Sequence, residues 1–157
     1  MRAVHQFVPT YEPGAVGAHA AQFQRVAREL GFESEIFAEF VVPSLAGQAR
    51  RLDDYGGRVK AHPDDLLVYQ LCTGSVVADV VRARSERLVV NYHNITPVPF
   101  YARWEPDLVY GLAWGRRQLG ALARRAHLGL GVSRYNEAEL RDAGYRSTTV
   151  VPVLVDL

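Results

Sequence analysis

Short apolar runs alternate with segments of helical periodicity along most of this chain. The runs at residues 3–8, 32–38, 66–70, 87–92, 128–132 and 148–153 have the length and β-branched content of buried strands. Apolar spacings of three and four predict helices at residues 18–30, 73–84, 105–126 and 134–143, and more weakly at 44–55. Strands that alternate with helices are typical of right-handed βαβ crossovers, which join parallel strands of one sheet. We therefore predict an α/β fold: a Rossmann-like three-layer α/β/α domain with a mostly parallel sheet of about six strands.

The same spacing predicts which helix faces are buried. The inward positions of the helix at 18–30 are Phe23, Val26, Ala27 and Leu30. The inward positions of the helix at 73–84 are Val76, Val77, Val80 and Val81. The long helix at 105–126 is predicted to have an apolar face of Leu108, Leu112, Leu119 and Ala126. Its opposite face carries Tyr110, Trp114, Arg116, Arg117, Arg124 and Arg125. That basic face is either solvated and partly covered by another domain, or suited to anionic lipid headgroups or an anionic acceptor.

Length and composition narrow the class of protein. The 157 residues fit a single domain, residues 1–157, and the net charge of +1 argues against a nucleic-acid partner. The single cysteine, Cys72, cannot form an internal disulfide, which favours a reducing compartment. Since no apolar run is long enough for a membrane span or a signal peptide, we expect a cytoplasmic protein, with peripheral contact at the inner face of the membrane left open.

Ligands of parallel α/β sheets bind beyond the carboxyl ends of the strands, so the loops there hold the candidate residues. The loop at 9–17 contains Gly14 and Gly17 before a helix, where backbone N–H groups can meet an anion. It is neither a G-x-G-x-x-G nor a P-loop motif, and a plain turn is the alternative. Thr73 and Ser133 follow two further strands.

Two histidines belong to this edge. His93 ends the strand RLVVNY, and with Asn94 it leads into a loop that Pro97 and Pro99 stiffen. His19 lies in the first helical turn, where the helix dipole favours the neutral ring. We predict that His93 is functional, whereas His19 serves either as a hydrogen-bonding group or as a packed core histidine.

Other chemistries lack their motifs. No H-x-x-x-H or C-x-x-C spacing predicts a metal site, and Ser75 lacks the G-x-S-x-G context of a hydrolase nucleophile.

Taken together, four segments resemble the N-terminal domain of GT-B glycosyltransferases of the large retaining family 4. GAVGAHAAQFQRVARELGFESEIFA is similar to the family's glycine loop, first helix and second strand, and RLVVNYHNITP to its strand that ends in histidine. HLGLGVSRYNEAELRDAGY resembles its late strand, serine and helix, and VVPVLVDL the segment that leaves the first domain. The usual adjacent glycines of the first loop and the Asn-Gly of the linker are absent.

The resemblance implies a function for these loops. Gly17 would approach the diphosphate of a nucleotide-sugar donor, and His93 would hydrogen-bond the donor sugar. The loops at 9–16, 70–75 and 94–101 would form the acceptor side of a cleft. No metal or other cofactor is implied, because in this family the departing phosphate is usually held to deprotonate the acceptor. The family's second domain, which binds most of the nucleotide sugar, would lie beyond residue 157, so this chain alone is expected to be inactive.

Two other functions remain open at this level. A stand-alone, non-catalytic α/β module could bind a sugar, a nucleotide or a protein. A sugar-nucleotide epimerase of the same architecture would need acidic groups beside the histidines. The acceptor stays unidentified, and a surface bared by an absent domain could also pair two copies as a homodimer.

Overall fold

A computed structural model describes residues 2–153, and its core is one parallel sheet of seven strands. The strands are β1 (Val4–Tyr11), β2 (Ile36–Val41), β3 (Arg50–Arg51), β4 (Leu66–Leu71), β5 (Arg87–Tyr92), β6 (Leu128–Gly131) and β7 (Thr148–Val150). The helices are α1 (Ala15–Glu29), α2 (Val76–Ala83), α3 (Pro106–Ala123) and α4 (Arg134–Asp142). The predicted α/β, Rossmann-like class is confirmed, with seven strands instead of six. Of the segment VVPVLVDL, residues 154–157 lie outside the residues that the structure describes.

The strand order β3-β2-β1-β4-β5-β6-β7 fixes where the chain changes direction across the sheet. From β1 the chain first moves to β2 and β3 on one side, and then returns to β4 on the other side of β1. The boundary between β1 and β4 is therefore the topological switch point, the usual place of a ligand cleft in open α/β sheets.

The helices divide unequally between the two faces of the sheet. Helices α2, α3 and α4 bury Val77, Leu119 and Leu140 against a sheet face that presents Phe7 and Tyr69. Helix α1 packs on β1, where Ala20 and Ala27 allow it to lie close to the strands. Both faces are covered, as the three-layer prediction requires.

The predicted helix at residues 44–55 is wrong. This segment forms two 3-10 turns, Pro43–Leu45 and Leu52–Asp54, on either side of β3. Gly47, with a φ of 83°, interrupts a helical path, and the following residues pair with β2 instead. The apolar spacing that suggested a helix arises because Leu52 and Tyr55 enter the core from a turn.

Several boundaries and faces also differ from the predictions. Strand β1 continues to Tyr11 and α1 begins at Ala15, so the predicted loop at 9–17 shrinks to residues 12–14. The predicted buried positions Val26, Leu30, Val76 and Leu108 are exposed. In α1 the reason is that small residues make the contact with the sheet, which turns Val26 and Leu30 toward solvent.

A close crossing between α3 and the loop before α2 was not predicted from the sequence. The N–H of Gly74 donates to the carbonyl oxygen of Gly111 at 3.0 Å, and a Cβ at Gly115 would lie 2.7 Å from the nitrogen of Gly74. The Gln118 amide clamps the crossing, since it accepts from the N–H of Ser75 and donates to the Ser75 carbonyl oxygen. This contact positions the loop that carries Thr73.

Candidate functional site

A small cavity opens at the carboxyl edge of the sheet, at the switch point between β1 and β4. Its volume is about 200 Å³. The lining residues are Pro9, Thr10, Glu12, Gly14, Ala15, Val16, Gly17, Cys72 and Thr73. The structure thus brings together three of the residues predicted from the sequence: Gly14 on the turn after β1, Gly17 in the first turn of α1, and Thr73 on the loop after β4.

The amino end of α1 borders this cavity and offers unused hydrogen-bond donors. The helix has no side-chain cap, and no hydrogen bond in the described part of the chain involves the N–H groups of Ala15, Val16 or Gly17. Gly14, with a φ of 153°, adopts a backbone conformation that favours glycine. Free N–H groups and the positive end of the helix dipole together suit an anionic ligand group.

Gly17 has a structural reason to be glycine. It is buried, and a Cβ placed on it would collide with the backbone carbonyl oxygen of Glu12. A larger residue at this position would therefore disturb the loop itself. The predicted contact of Gly17 with a diphosphate stays a prediction, and a Gly17→Val variant cannot test it separately from folding.

Three buried amides form a polar row across adjacent strands, behind the edge of the sheet. Gln6 on β1, Gln70 on β4 and Asn91 on β5 are each fully buried. The Gln70 Nε2 donates to Gln6 Oε1 at 2.9 Å, and the Asn91 Nδ2 donates to Gln70 Oε1 at 2.7 Å. This row was not predicted, although its signal was present as polar residues inside otherwise apolar strands.

The two predicted histidines meet at the end of this row. His93 Nε2 lies 2.7 Å from Gln70 Oε1, and His19 Nδ1 lies 3.3 Å from Asn91 Nδ2. The two rings are nearly perpendicular, with centroids 5.2 Å apart. His93 is partly exposed, whereas His19 is fully buried and packs its ring against Phe23. His19 is thus both a core residue and a hydrogen-bonded neighbour of the site.

Burial keeps both rings neutral at physiological pH. Loss of solvation, with a smaller contribution from the nearby His19 ring, lowers the pKa of His93 to about 4. Burial also lowers the pKa of His19. Buried polar atoms without partners cluster here too: in the described part of the chain they include Gln6 Nε2, His19 Nε2 and Asn91 Oδ1. A concentration of such atoms is unusual in a plain core.

Acidification is expected to destabilise the fold through these histidines. The pKa of His93 is about 4 when folded and 6.5 as a free side chain, so between those pH values the unfolded state binds the proton and the folded state does not. The contribution of the neutral His93 ring to the free energy of unfolding should be fully present above pH 6.5. It should fall by about 2–3 kcal/mol as the pH is lowered toward 4. Urea unfolding of the wild type and of His93→Gln checks this, because the variant should lose less stability on acidification. The exposed-site variant His127→Gln is the control, and equal slopes for His93→Gln and the wild type would contradict the prediction.

The turn after His93 is held from two sides. Asn94 has a φ of 81° and is the only non-glycine residue of the described chain with positive φ. The N–H of the next residue, Ile95, donates to the Tyr92 hydroxyl at 3.1 Å, and Arg116 donates to the Ile95 carbonyl oxygen. Glu139 accepts from both Tyr92 and Arg116. The support that Pro97 and Pro99 predicted for His93 and Asn94 is thus reinforced by hydrogen bonds and an ion pair that were not predicted.

Removal of Arg116 should loosen this turn. We expect Arg116→Met to lower the free energy of unfolding by about 1–3 kcal/mol, because Glu139 loses its cation and the Ile95 carbonyl oxygen loses its donor. Arg117→Met, the exposed neighbour on α3, should stay within about 0.5 kcal/mol of the wild type. Urea unfolding gives both values. Equal effects of the two variants would show that the ion pair does not hold the turn.

Other predicted features lie apart from the cavity. The Ser133 hydroxyl caps α4, since it accepts from the Asn136 N–H and donates to the Asn136 Oδ1 at 2.7 Å. The basic face of α3 is not a free surface: Arg116 is bound as described, and Arg125 donates to the carbonyl oxygens of Arg84 and Glu86. Of the four arginines on that face, only Arg117 and Arg124 are exposed.

A larger cavity lies at the opposite, amino edge of the sheet. It has a volume of about 550 Å³, and its lining includes Arg124, Arg125, His127 and Arg146. Cations at this position follow the carboxyl ends of α3 and α4, where they complement the helix dipoles. The smaller cavity is the better candidate site, because it lies at the switch point and borders free backbone donors.

The one thiol that lines the candidate cavity, Cys72, is not an activated nucleophile. Burial, reinforced by the nearby Glu12 carboxylate, raises the pKa of the Cys72 thiol to about 11, so it is protonated at neutral pH. Within residues 2–153, no three His, Cys, Asp or Glu side chains are grouped so that they could hold a metal ion.

No helix within residues 2–153 is long and apolar enough to cross a membrane. No protein-family model and no curated protein matches this chain.

Proposed function

We propose that this chain is the acceptor-side domain of a retaining, nucleotide-sugar-dependent glycosyltransferase of GT-B architecture. One observation carries the proposal: the switch-point cavity borders the uncapped amino end of α1, and a neutral histidine, His93, lies at the carboxyl edge, on the strand beyond β4. The carboxyl edge of the sheet thus carries backbone N–H groups that can bind an anion and the His93 ring, which can hydrogen-bond a hydroxyl group. A nucleotide sugar carries both groups, as a diphosphate and a sugar.

The groups around the cavity fit a sugar transfer in which the protein's role is to hold the reacting groups in place. In this reaction the bond from the anomeric carbon to the phosphate oxygen breaks, and a bond to the acceptor oxygen forms. The acceptor proton goes to the departing phosphate. The N–H groups of Ala15, Val16 and Gly17 would hold the diphosphate, and His93 would hold a sugar hydroxyl. A protonated Cys72 is compatible with this scheme, which needs no protein nucleophile.

The charges of the cavity indicate that the site needs a second component. Its described lining contains Glu12 but no lysine or arginine, although a leaving diphosphate requires strong stabilisation. The expected source is a C-terminal nucleotide-sugar domain that closes over this edge. The cavity volume of about 200 Å³ is also small for a whole ligand pocket, which typically has about 300–1,000 Å³. A cytoplasmic location belongs to the same proposal and is supported by the free thiol of Cys72.

The same lack of cations supports the second candidate, a stand-alone module that binds a sugar or nucleotide without reaction. An assay of the protein expressed from its full reading frame separates the two. We expect nucleoside diphosphate to be released from at least one of UDP-glucose, GDP-mannose and ADP-glucose when polyol and lipid acceptors are supplied. Binding without release would favour the module, and an absence of both would refute the proposal.

A further inference from the structure

The hydrogen-bond donors and acceptors around His93 fix which ring nitrogen carries the proton. With the amides oriented as the structure has them, the Gln70 Nε2 is used on Gln6, so the Gln70 Oε1 faces His93. A carbonyl oxygen can only accept. His93 Nε2, at 2.7 Å, must therefore be the donor.

Asn91 extends the same assignment to the second ring. Its Nδ2 has two hydrogens and three neighbours, namely Gln70 Oε1 at 2.7 Å and one nitrogen of each histidine at 3.3 Å. Because His93 Nε2 already carries a hydrogen, the Asn91 hydrogens go to Gln70 and to His19 Nδ1. Each ring then carries its proton on Nε2.

The remaining nitrogen of His93 is left free to accept. No hydrogen bond in the described part of the chain involves His93 Nδ1, and this atom is not among the buried polar atoms that lack a partner. It is therefore partly accessible from outside the protein. A neutral ring with a bare Nδ1 can accept from a hydroxyl or an N–H group, and it repels the oxygen of a phosphate.

We propose that Gln70 and Asn91 are positioning residues that hold His93 as the Nε2–H tautomer, so that Nδ1 accepts a hydrogen bond from a ligand hydroxyl. The hydroxyl rests on the proposed function, since it would belong to the sugar of the donor. The tautomer does not rest on it, because the amide row alone sets it. A phosphate group is excluded from this nitrogen, which assigns the two ends of the ligand to different parts of the edge.

Ring ¹⁵N NMR of His93 tests the tautomer in the free protein. We expect a protonated Nε2 and a bare Nδ1 in the wild type at pH 7. A protonated Nδ1 would overturn the proposal, since it would mean that the whole amide row is reversed. This result needs no variant and no ligand.

Two substitutions at one position test whether Gln70 sets that state. Gln70→Met removes the acceptor, and we expect His93 to become a mixture of both tautomers. Gln70→Glu keeps an acceptor oxygen, and we expect it to retain the Nε2–H form and to raise the pKa of His93. An unchanged tautomer in Gln70→Met would contradict the positioning role. Neither NMR result depends on sugar transfer, so a failed transfer assay and a failed tautomer assignment remain separate outcomes.

Discussion

Replacement of Gly115 by alanine should destabilise the chain by about 2–4 kcal/mol, although alanine favours a helix more than glycine does. The added Cβ would lie 2.7 Å from the backbone nitrogen of Gly74 and 2.9 Å from the Ile95 Cδ1. The backbone nitrogen of Gly74 cannot yield without moving the loop before α2, because Gln118 clamps that loop. Urea unfolding of Gly115→Ala measures the loss.

The same helix supplies the matched control. A Cβ added at Gly120 would meet nothing within 4 Å, so Gly120→Ala adds only helix propensity. It should stabilise the chain by about 0.5–1 kcal/mol. Opposite signs for the two variants would confirm that the crossing requires Gly115. A neutral or stabilising Gly115→Ala would show that α3 can move away from the loop at little cost.

The second large effect is expected in catalysis. On the proposed function, His93→Ala in the protein expressed from its full reading frame should lower kcat about 100-fold, equivalent to about 2.7 kcal/mol of transition-state stabilisation, because the proposed donor sugar would lose its acceptor nitrogen. Stability should fall by only about 1 kcal/mol, since Gln70 Oε1 keeps its hydrogen bond from Asn91. Release of nucleoside diphosphate and urea unfolding measure the two quantities on the same preparation.

His127→Ala is the control for this variant, because His127 is exposed at the amino edge of the sheet. It should leave kcat unchanged. A His93→Ala protein that turns over normally would remove His93 from the reaction. A loss of activity matched by a large loss of stability would mark it as a structural residue.

The sheet was predictable because each central strand is buried on both faces. Strand β5 shows why: Leu88, Val89, Val90 and Tyr92 form a nearly continuous apolar run, which only a covered strand tolerates. The strand β3 was not predictable, since it consists of two exposed arginines that pair with β2 through the backbone alone. No side-chain pattern marks such a short edge strand.

The sequence was enough to predict where the candidate site lies, but not which side chains contact its residues. His93 and Gly14 follow strands, and the strand-end rule places both at one edge. The partners of His93 come from β4 and β5, and their meeting depends on the register that sets Gln70 opposite Asn91. The structural requirement for glycine at Gly17 was not predicted for a related reason, because its close contact with Glu12 depends on where α1 begins.

The most direct test of the central claim is NMR mapping of nucleotide-sugar binding on the ¹⁵N-labelled chain. Titration with millimolar UDP-glucose, GDP-mannose and ADP-glucose should shift the amides of Ala15, Val16 and Gly17 together with the ring of His93 for at least one of the three. The matching nucleoside diphosphate alone should shift the amides and leave the ring unmoved. Shifts confined to the arginine-lined cavity at the amino edge, or no shifts with any of the three, would contradict the claim that this edge binds a nucleotide sugar.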